Sequence, residues 1–266
     1  MEEEKKGVFK DPQFLLGLFG GIAVVAIIGL IILGIVVINL ARNPGSGGEV
    51  AGTNDANNGD QAAQGVALSD IKALFDQDTL KFGKASAKNL IVEASDPSCP
   101  YCHIAGGKNP ELNKQVGTQF LLKADGGTYV APVPEIKKLV DSGKAAFVYL
   151  FFPGHGNGEL AAQSFYCAYE KNKFWEAHDL LMSAAGYSLM NDGAQPTAES
   201  ISTFLKSVVD EAFMKDCLSS GKYASKLTRD TNVAQQFGVQ GTPGFFINTT
   251  RFDGAYGYTD MASAVK

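Results

Sequence analysis

The sequence predicts an α/β fold that follows one N-terminal membrane-spanning helix. An uncharged apolar run, Phe14–Leu40, is long enough to cross a bilayer. Two short runs, Leu90–Ala94 and Ala145–Phe152, are rich in β-branched and aromatic residues and fit buried strands. Between about residues 159 and 237, apolar residues recur at helical spacing. These features predict a sheet covered by helices, with a helical insertion between two halves of the sheet.

The N-terminal region is predicted to be a signal anchor. The apolar run has 27 residues, whereas a cleaved signal peptide has a shorter apolar core and a small-residue cleavage site. Three lysines precede the run and only Arg42 follows it closely. Because basic flanks stay in the cytoplasm, we expect residues 1–13 to be cytoplasmic, residues 14–40 to span the membrane and the rest to lie outside.

The remainder of the chain divides into a tether and one domain. Residues 41–65 are dominated by Gly, Asn, Ala, Ser and Gln, which cannot bury enough apolar surface to fold. Residues 66–266 suffice for one domain with a sizeable core. The net charge of −5 gives no basic surface for nucleic acid, so a nucleic-acid partner is not expected.

Within this domain the elements are predicted in order. A helix over Ser69–Phe75 precedes the first strand, and the turn Asp96–Pro97–Ser98 leads into a helix that runs to about Val116. The segment 118–130 is predicted to be a β-hairpin that turns at Asp125–Gly126–Gly127. The remaining helices and strands are predicted at Glu159–Lys171, Phe174–Ala185, Ala198–Val209, Lys222–Phe237, Phe245–Asn248, Arg251–Asp253 and from Thr259 onward.

Cys99–Pro100–Tyr101–Cys102 is the motif that carries chemistry, because two cysteines at this spacing can cycle between dithiol and disulfide. Pro100 suits the first position of a helix, which makes Cys99 the N-cap residue. The partial positive charge of the helix N-terminus favours a thiolate there. We therefore expect Cys99 to be the exposed, low-pKa nucleophile and Cys102 to be the buried, resolving thiol.

A pair of cysteines at this spacing is also half of many zinc sites. A tetrahedral zinc site needs two more ligands at comparable spacing. The other cysteines, Cys167 and Cys217, stand 50 positions apart, and His103 directly follows Cys102. Redox chemistry is therefore the preferred interpretation, and neither a metal nor a cofactor is expected.

Further motifs give the chain a family resemblance. Gly241–Thr242–Pro243 precedes a strand-like run, and Glu93 lies six residues before Cys99. With Phe174–Leu181 and Gly254–Ala255–Tyr256, these make the region from Leu90 to Tyr258 resemble a DsbA-like protein of the thioredoxin superfamily. The resemblance implies a thioredoxin-like fold with a helical insertion.

The resemblance also implies roles for individual residues. Thr242–Pro243 is expected to be a cis peptide bond beside Cys99, and Glu93 a buried acid that relays protons to and from Cys102. The alternative for Glu93 is a surface acid on a strand edge. Pro100 and Tyr101 are expected to tune the redox potential. His103 is expected either to stabilise the thiolate by its charge or to point to solvent, while His155 and His178 are expected to be structural.

Cys167 and Cys217 have two interpretations. They are either two unrelated buried thiols or a structural disulfide, which some DsbA-like relatives carry at comparable places. An outward-facing domain lies in an oxidising compartment, and pairing would leave no free thiol to exchange with the active site. We therefore expect the disulfide.

The resulting hypothesis is a membrane-anchored thiol:disulfide oxidoreductase that introduces disulfides into exported proteins. Its partners would be exported proteins with cysteine thiols and a quinone-linked membrane reoxidase of the DsbB-like or VKOR-like kind. A reductase or isomerase of the same fold is the alternative within this chemistry. A non-catalytic peptide-binding or chaperone module is a further alternative, against which the two intact cysteines argue.

Overall fold

The fold is that of a computed structural model, which describes residues 65–266. Its sheet contains five strands: Leu80–Phe82 (β1), Asn89–Ser95 (β2), Ala145–Phe151 (β3), Gly244–Ile247 (β4) and Thr250–Asp253 (β5). Their order across the sheet is β1-β3-β2-β4-β5. Strands β2 and β3 are parallel, and the other neighbours are antiparallel. This is the predicted α/β fold.

The two central strands form the core of the sheet. Every residue of β2 and of β3 is buried, as expected for strands covered on both faces. Alternation along β2 sends Leu90 and Val92 to one apolar cluster and Ile91 to the other. Each fully buried aliphatic or aromatic side chain of this kind contributes about 1.5–3 kcal/mol.

Helices cover both faces of the sheet. Leu68–Ala73 (α1) precedes it; Pro100–Gly106 (α2), Pro110–Val116 (α3) and Pro132–Asp141 (α4) lie between β2 and β3. The insertion between β3 and β4 consists of Glu159–Glu170 (α5), Phe174–Leu181 (α6), Ala184–Asn191 (α7), Ala198–Leu205 (α8), Glu211–Ser219 (α9) and Ala224–Gln236 (α10). A short helix, Tyr258–Met261 (α11), follows β5. The predicted helical insertion is therefore present.

Two predicted helices differ from the observed ones for local reasons. The helix predicted over 174–185 ends at Leu181, and α7 begins after Ser183, whose hydroxyl accepts the N–H of Gly186 at 3.3 Å. The helix predicted to run to Val116 is broken instead at Gly107, which is left-handed (φ 63°) and ends α2. Pro110 then begins α3.

The predicted β-hairpin over 118–130 is wrong. Residues Thr118–Phe120 and Lys123–Asp125 form short 3-10 turns, and Gly126 is left-handed (φ 88°). The N–H of Gly127 donates back to Leu122 O at 2.9 Å, and the N–H of Tyr129 donates to Leu121 O at 3.1 Å. These bonds fold the segment onto itself as a compact loop, so its apolar residues do not extend as strands.

Three elements were not predicted: β1, α4 and α9. Strand β1 has only three residues and pairs with β3 at one edge of the sheet, so its periodicity is too short to detect. Helix α4 begins with Pro132–Val133–Pro134, which resembles a loop although proline is well suited to a first helical turn.

The predicted N-terminal elements lie outside the described residues. These are the cytoplasmic residues 1–13, the span over 14–40 and nearly all of the tether over 41–65. Among residues 65–266, no helix has the length and apolar character needed to cross a membrane.

Candidate functional site

The two cysteines lie where β2 leads into α2. Cys99 is the N-cap residue, with an extended backbone (φ −76°, ψ 125°), and Pro100 begins the helix. The N–H of Cys102 donates to Cys99 O at 3.0 Å, which closes the first turn. Both cysteines are free thiols, so the structure describes the reduced dithiol.

The loop before β4 covers the dithiol. The Thr242–Pro243 peptide bond is cis. The Cys99 Sγ lies 3.4 Å from the carbonyl oxygen of Thr242. The Gly241–Thr242–Pro243 motif therefore meets the Cys-x-x-Cys motif in space, although Cys99 and Thr242 are 143 residues apart along the chain.

The pKa values of the two thiols are shifted in opposite directions. The pKa of Cys99 falls from 9.0 to about 6, first because the Cys102 thiol donates a hydrogen bond to its sulfur, and then because of Thr242 and the backbone N–H groups of Tyr101 and Cys102. Burial opposes this lowering. The pKa of Cys102 lies well above 9.0, chiefly because burial disfavours its thiolate.

The exposure predicted for Cys99 is wrong. Only 4% of Cys99 and 1% of Cys102 are exposed to solvent. Cys99 lies beneath the Thr242 carbonyl, whereas Cys102 also receives the N–H of Asp96 at 3.4 Å. Acidity rather than exposure therefore distinguishes the two thiols.

Glu93 lies on the face of β2 that also carries Ile91, whose apolar cluster contains both Cys99 and Cys102. Its strand is central, so the alternative of a surface acid at a sheet edge is wrong. The side chain is 1% exposed, and neither carboxylate oxygen has a hydrogen-bond partner among the described residues. Burial raises the pKa of Glu93, while the nearby His178 opposes the rise. Such a carboxyl group holds its proton more tightly than an exposed one, which suits a group that takes up and releases protons.

His103 is completely buried, so the predicted solvent-facing orientation is wrong. Its Nδ1 lies 2.9 Å from Met182 O and its Nε2 lies 2.8 Å from Pro97 O. Burial lowers the pKa of His103 to about 4, so the ring is neutral at neutral pH and donates to one of these two carbonyls. The ring therefore joins α2 to the insertion instead of supplying a positive charge to the thiolate.

The other two histidines occupy contrasting places. His178 is 1% exposed and packs against the rings of Phe165 and Phe174, at centroid distances of 5.7 and 5.8 Å. His155 is exposed in the loop that follows β3. The Tyr101 side chain, 45% exposed, lies at the surface beside the dithiol and contacts the ring of Phe120.

Asp96 is a residue of the site that sequence reasoning missed, since it was interpreted only as part of a turn. It is 1% exposed, and its carboxylate accepts the N–H groups of Gly154 and His155 at 2.8 and 3.0 Å. The signal in the sequence was the run Pro153–Gly158, in which glycine recurs at every second position.

Cys167 and Cys217 are joined by a disulfide, with a Cα–Cα distance of 6.2 Å. The bond links α5 to α9 within the insertion. The interpretation as two unrelated thiols is therefore wrong. Among residues 65–266, no group of three or more His, Cys, Asp or Glu side chains is arranged to hold a metal ion.

Comparison of the sequence with known proteins gives a family and two curated relatives. The family described as Thioredoxin matches residues 132–266, which is just over half of the chain and begins after the dithiol. The chain is 26% identical over 207 residues to Na(+)/H(+) antiporter NhaA 3 of Salinispora tropica, and 26% identical over 183 residues to NhaA 1 of Salinispora arenicola. These matches cover 77% and 69% of this chain but 26% and 24% of the antiporters, so the chain spans about a quarter of their length.

Several solved structures have a similar fold. BdbD from Bacillus subtilis, in its oxidised form, is 20% identical, with a TM-score of 0.52 over 70% of this chain and 90% of that one. The thiol-disulfide exchange protein alpha-DsbA2 from Wolbachia pipientis is 21% identical, with a TM-score of 0.52 over 74% and 93%. Alpha-DsbA1 from the same organism is 17% identical, with a TM-score of 0.54 over 74% and 94%.

These solved structures share 21% or less of their sequence with this chain, so the likeness is one of fold. The family match over residues 132–266 shows that the chain belongs to the thioredoxin family.

Proposed function

We propose that the protein is a thiol:disulfide oxidoreductase that introduces disulfides into exported proteins through Cys99 and Cys102. The observation that carries the proposal is one dithiol with two very different acidities, held against the carbonyl of a cis-proline loop. Cys99, with a pKa of about 6, is largely ionised at neutral pH, and Cys102 stays protonated. An acidic sulfur is both an attacking group and a good leaving group in disulfide exchange.

The reaction conserves electrons between substrate and enzyme. A substrate thiolate attacks Cys99 of the Cys99–Cys102 disulfide, and a mixed disulfide forms while Cys102 leaves and takes up a proton. Glu93 is the proposed proton donor because it is buried on the face of β2 that packs in the same cluster as Cys102, and burial raises its pKa. A second substrate thiolate then attacks the substrate sulfur of the mixed disulfide, and Cys99 leaves as a thiolate. The substrate loses two electrons and the enzyme gains them.

The acidity of Cys99 favours oxidation of the substrate. Lowering its pKa from 9.0 to about 6 stabilises the reduced enzyme at pH 7 by about 1.4 kcal/mol, or about 30 mV in potential. The potentials of thioredoxin and DsbA differ by about 150 mV, so this effect sets a direction but supplies only part of an oxidase's potential. A reductase or isomerase is the second candidate, and the potential distinguishes the two.

Substrate docking is proposed at the cis-proline loop. Pro243 lacks an N–H group, and the edge of the loop can pair with an extended chain through the backbone of Thr242. This mode of binding would bring a substrate cysteine to Cys99 without a requirement for a particular side chain. It fits an enzyme that acts on many unfolded chains.

The location and partners are proposed from the sequence. The apolar run over 14–40 supports a single-pass anchor, with the N-terminus in the cytoplasm and residues 66–266 outside the membrane. The Cys167–Cys217 disulfide favours the same side, because structural disulfides persist in oxidising compartments. Reduced enzyme would then pass its electrons to a quinone-linked membrane protein of the DsbB-like or VKOR-like kind. Ion transport, which the antiporters' names state, forms no part of the proposal.

The test is equilibration of residues 66–266 with glutathione buffers, followed by separation of the dithiol and disulfide forms. We expect a potential well above that of glutathione, together with oxidation of a reduced, unfolded protein substrate. A potential near that of thioredoxin would replace the oxidase by the reductase. If the substrate is not oxidised and the cysteines do not exchange with glutathione, thiol–disulfide exchange itself is excluded.

A further inference from the structure

Two loops meet at one buried carboxylate beside the dithiol. Oδ1 of Asp96 accepts the N–H and the hydroxyl of Ser98, both at 2.8 Å, within the loop that leads to Cys99. Oδ2 accepts the N–H groups of Gly154 at 2.8 Å and His155 at 3.0 Å. The second of these loops, Pro153–Gly158, is called the glycine-rich loop. A carboxylate that is 1% exposed is thus fully satisfied by four donors from two loops.

The glycine-rich loop in turn contacts the cis-proline loop. A Cβ atom added at Gly154 would lie 1.8 Å from Thr242 Oγ1 and 2.9 Å from Thr242 Cβ. Only glycine therefore allows the backbone at position 154 to approach Thr242 this closely. The same peptide unit that donates its N–H to Asp96 supports the residue whose carbonyl faces Cys99.

A second glycine permits the close approach to Asp96 itself. A Cβ atom at Gly158 would lie 1.8 Å from Asp96 Oδ1 and 3.1 Å from Ser98 Oγ. By contrast, a Cβ atom at Gly156, between the two, would meet no atom within 4 Å. Neither Gly154, Gly156 nor Gly158 has a left-handed backbone. The requirement for glycine at 154 and 158 therefore comes from space and not from backbone conformation.

We propose that Asp96 is a positioning residue that holds the glycine-rich loop against Thr242. Through this contact Asp96 fixes the position, relative to Cys99, of the cis-proline loop edge on which a substrate chain docks. The inference rests on the proposed function and deepens it. Asp96 donates its backbone N–H to Cys102, but its carboxylate faces the glycine-rich loop, so the side chain acts on docking and not on the sulfurs. Its effect should therefore depend on whether a substrate has a peptide backbone.

The experiment compares two substrates of the oxidised protein: a peptide with two cysteines and an intramolecular quencher, and dithiothreitol, which has no backbone to dock. Gly154→Ala is expected to lower kcat/KM for the peptide by about tenfold or more, mainly through KM, because displacement by a fraction of an ångström at a docking edge is costly. Oxidation of dithiothreitol should change less than twofold. Gly156→Ala, the matched control in the same loop, should leave both reactions unchanged.

Asp96→Asn provides an independent variant in case Gly154→Ala does not fold. An amide keeps one acceptor oxygen but replaces the other by a donor, which faces the N–H groups of Gly154 and His155 or those of Ser98. We expect the same loss with the peptide and the same small change with dithiothreitol. Thermal melting of each variant shows whether the domain stays folded, and a merely structural role would move both substrates together.

The outcomes distinguish the positioning role of Asp96 from disulfide exchange itself. Equal peptide kinetics for Gly154→Ala, Gly156→Ala and the wild type would overturn the positioning role while leaving disulfide exchange intact. An equal loss with peptide and dithiothreitol would also overturn it, because the effect would then lie at the sulfurs. If the wild type oxidises neither substrate, the proposed function fails first, and the positioning role fails with it.

Discussion

The two cysteine pairs of this protein are alike in burial and opposite in chemistry. Cys99 and Cys102 are 4% and 1% exposed, and Cys167 and Cys217 are 0% and 6% exposed. One pair lies within a single turn at a helix start and is a dithiol, whereas the other links two helices across 50 residues and is a disulfide. Burial alone therefore does not decide which sulfurs react.

The surroundings of each pair account for the difference. Cys99 has hydrogen-bond donors on one side and the cis-proline loop on the other, so its thiolate is stabilised while Cys102 is kept protonated. Cys167 and Cys217 lie among the apolar side chains of the insertion, and Glu170 Oε1 lies 3.9 Å from Cys217 Sγ. Unequal acidity therefore distinguishes the reactive pair, whereas the structural pair is a disulfide enclosed by apolar side chains.

The largest expected effect is loss of the attacking sulfur. Cys99→Ala should reduce disulfide exchange at least about a thousandfold, because no other thiol of low pKa lies at the site. Cys102→Ala should instead accumulate mixed disulfides through Cys99, which mass spectrometry of trapped complexes detects. If complexes form through Cys102 in Cys99→Ala, the assignment of the two roles is reversed.

The second effect concerns stability and not activity. Replacement of Cys167 and Cys217 by alanine should lower the free energy of unfolding by about 4 kcal/mol, as the chain-entropy estimate gives for a loop of this length. Exchange through Cys99 should persist below the melting temperature. Denaturant unfolding of the double variant and of wild type measures the difference.

Thiol titration of the wild type checks the same division. Mild reductant should release two thiols, mapped to Cys99 and Cys102, while Cys167 and Cys217 react only after unfolding. Four thiols that titrate together would contradict the division between a reactive and a structural pair.

The sequence predicted the site better where chemistry needs specific residues than where packing decides. Cys99, Pro100 and Pro243 are recognisable because few other residues can provide a redox pair, a helix start or a cis bond. The loop over 118–130 was mistaken for a hairpin because its apolar content resembles strands, whereas Gly126 and backbone hydrogen bonds turn it into a compact loop. Asp96 was missed because its bonds to Ser98 are those of an ordinary turn, whereas the N–H groups of Gly154 and His155 that it also accepts lie 58 and 59 residues away.

The third prediction tests Glu93 as the proposed proton relay for Cys102. Glu93→Gln should slow the attack of Cys102 on a mixed disulfide at Cys99 by about 10- to 100-fold at neutral pH, since a positioned base is lost. In the wild type the rate should rise with pH through the raised pKa of Glu93, and the variant should lack this rise. Stopped-flow release of glutathione from the Cys99 mixed disulfide measures both.

The free energy of unfolding of Glu93→Gln provides the control for this prediction. Because burial raises its pKa, ionisation of Glu93 costs the folded state stability as the pH rises above about 4.5. Glu93→Gln should therefore be at least as stable as the wild type at neutral pH while it exchanges more slowly. A slower variant that is also less stable would indicate structural damage, and Glu159→Gln, an exposed acid, should change neither property.

The smallest expected effect lies within the pair itself. The thiol of Cys102 is the largest cause of the low pKa of Cys99, and a hydrogen bond to a charged group contributes about 1.5–3 kcal/mol. Cys102→Ala should therefore raise the pKa of Cys99 from about 6 by about one pH unit or more, followed by the ultraviolet absorbance of the thiolate.

Cys102→Ser is the matched control, since its hydroxyl keeps a donor beside Cys99 and should hold the pKa near the wild-type value. The lowered pKa of Cys99 also makes the stability of the reduced protein depend on pH. A lowered pKa stabilises the reduced folded state above the unfolded pKa of Cys99, and this contribution is lost as the pH falls through about 6. In Cys102→Ala the contribution should be smaller, and its loss should be complete at a higher pH. If Cys102→Ala and Cys102→Ser both leave the pKa of Cys99 at about 6, the backbone N–H groups at the start of α2 stabilise the thiolate without help from Cys102. The reactivity of the pair then originates in the helix start alone.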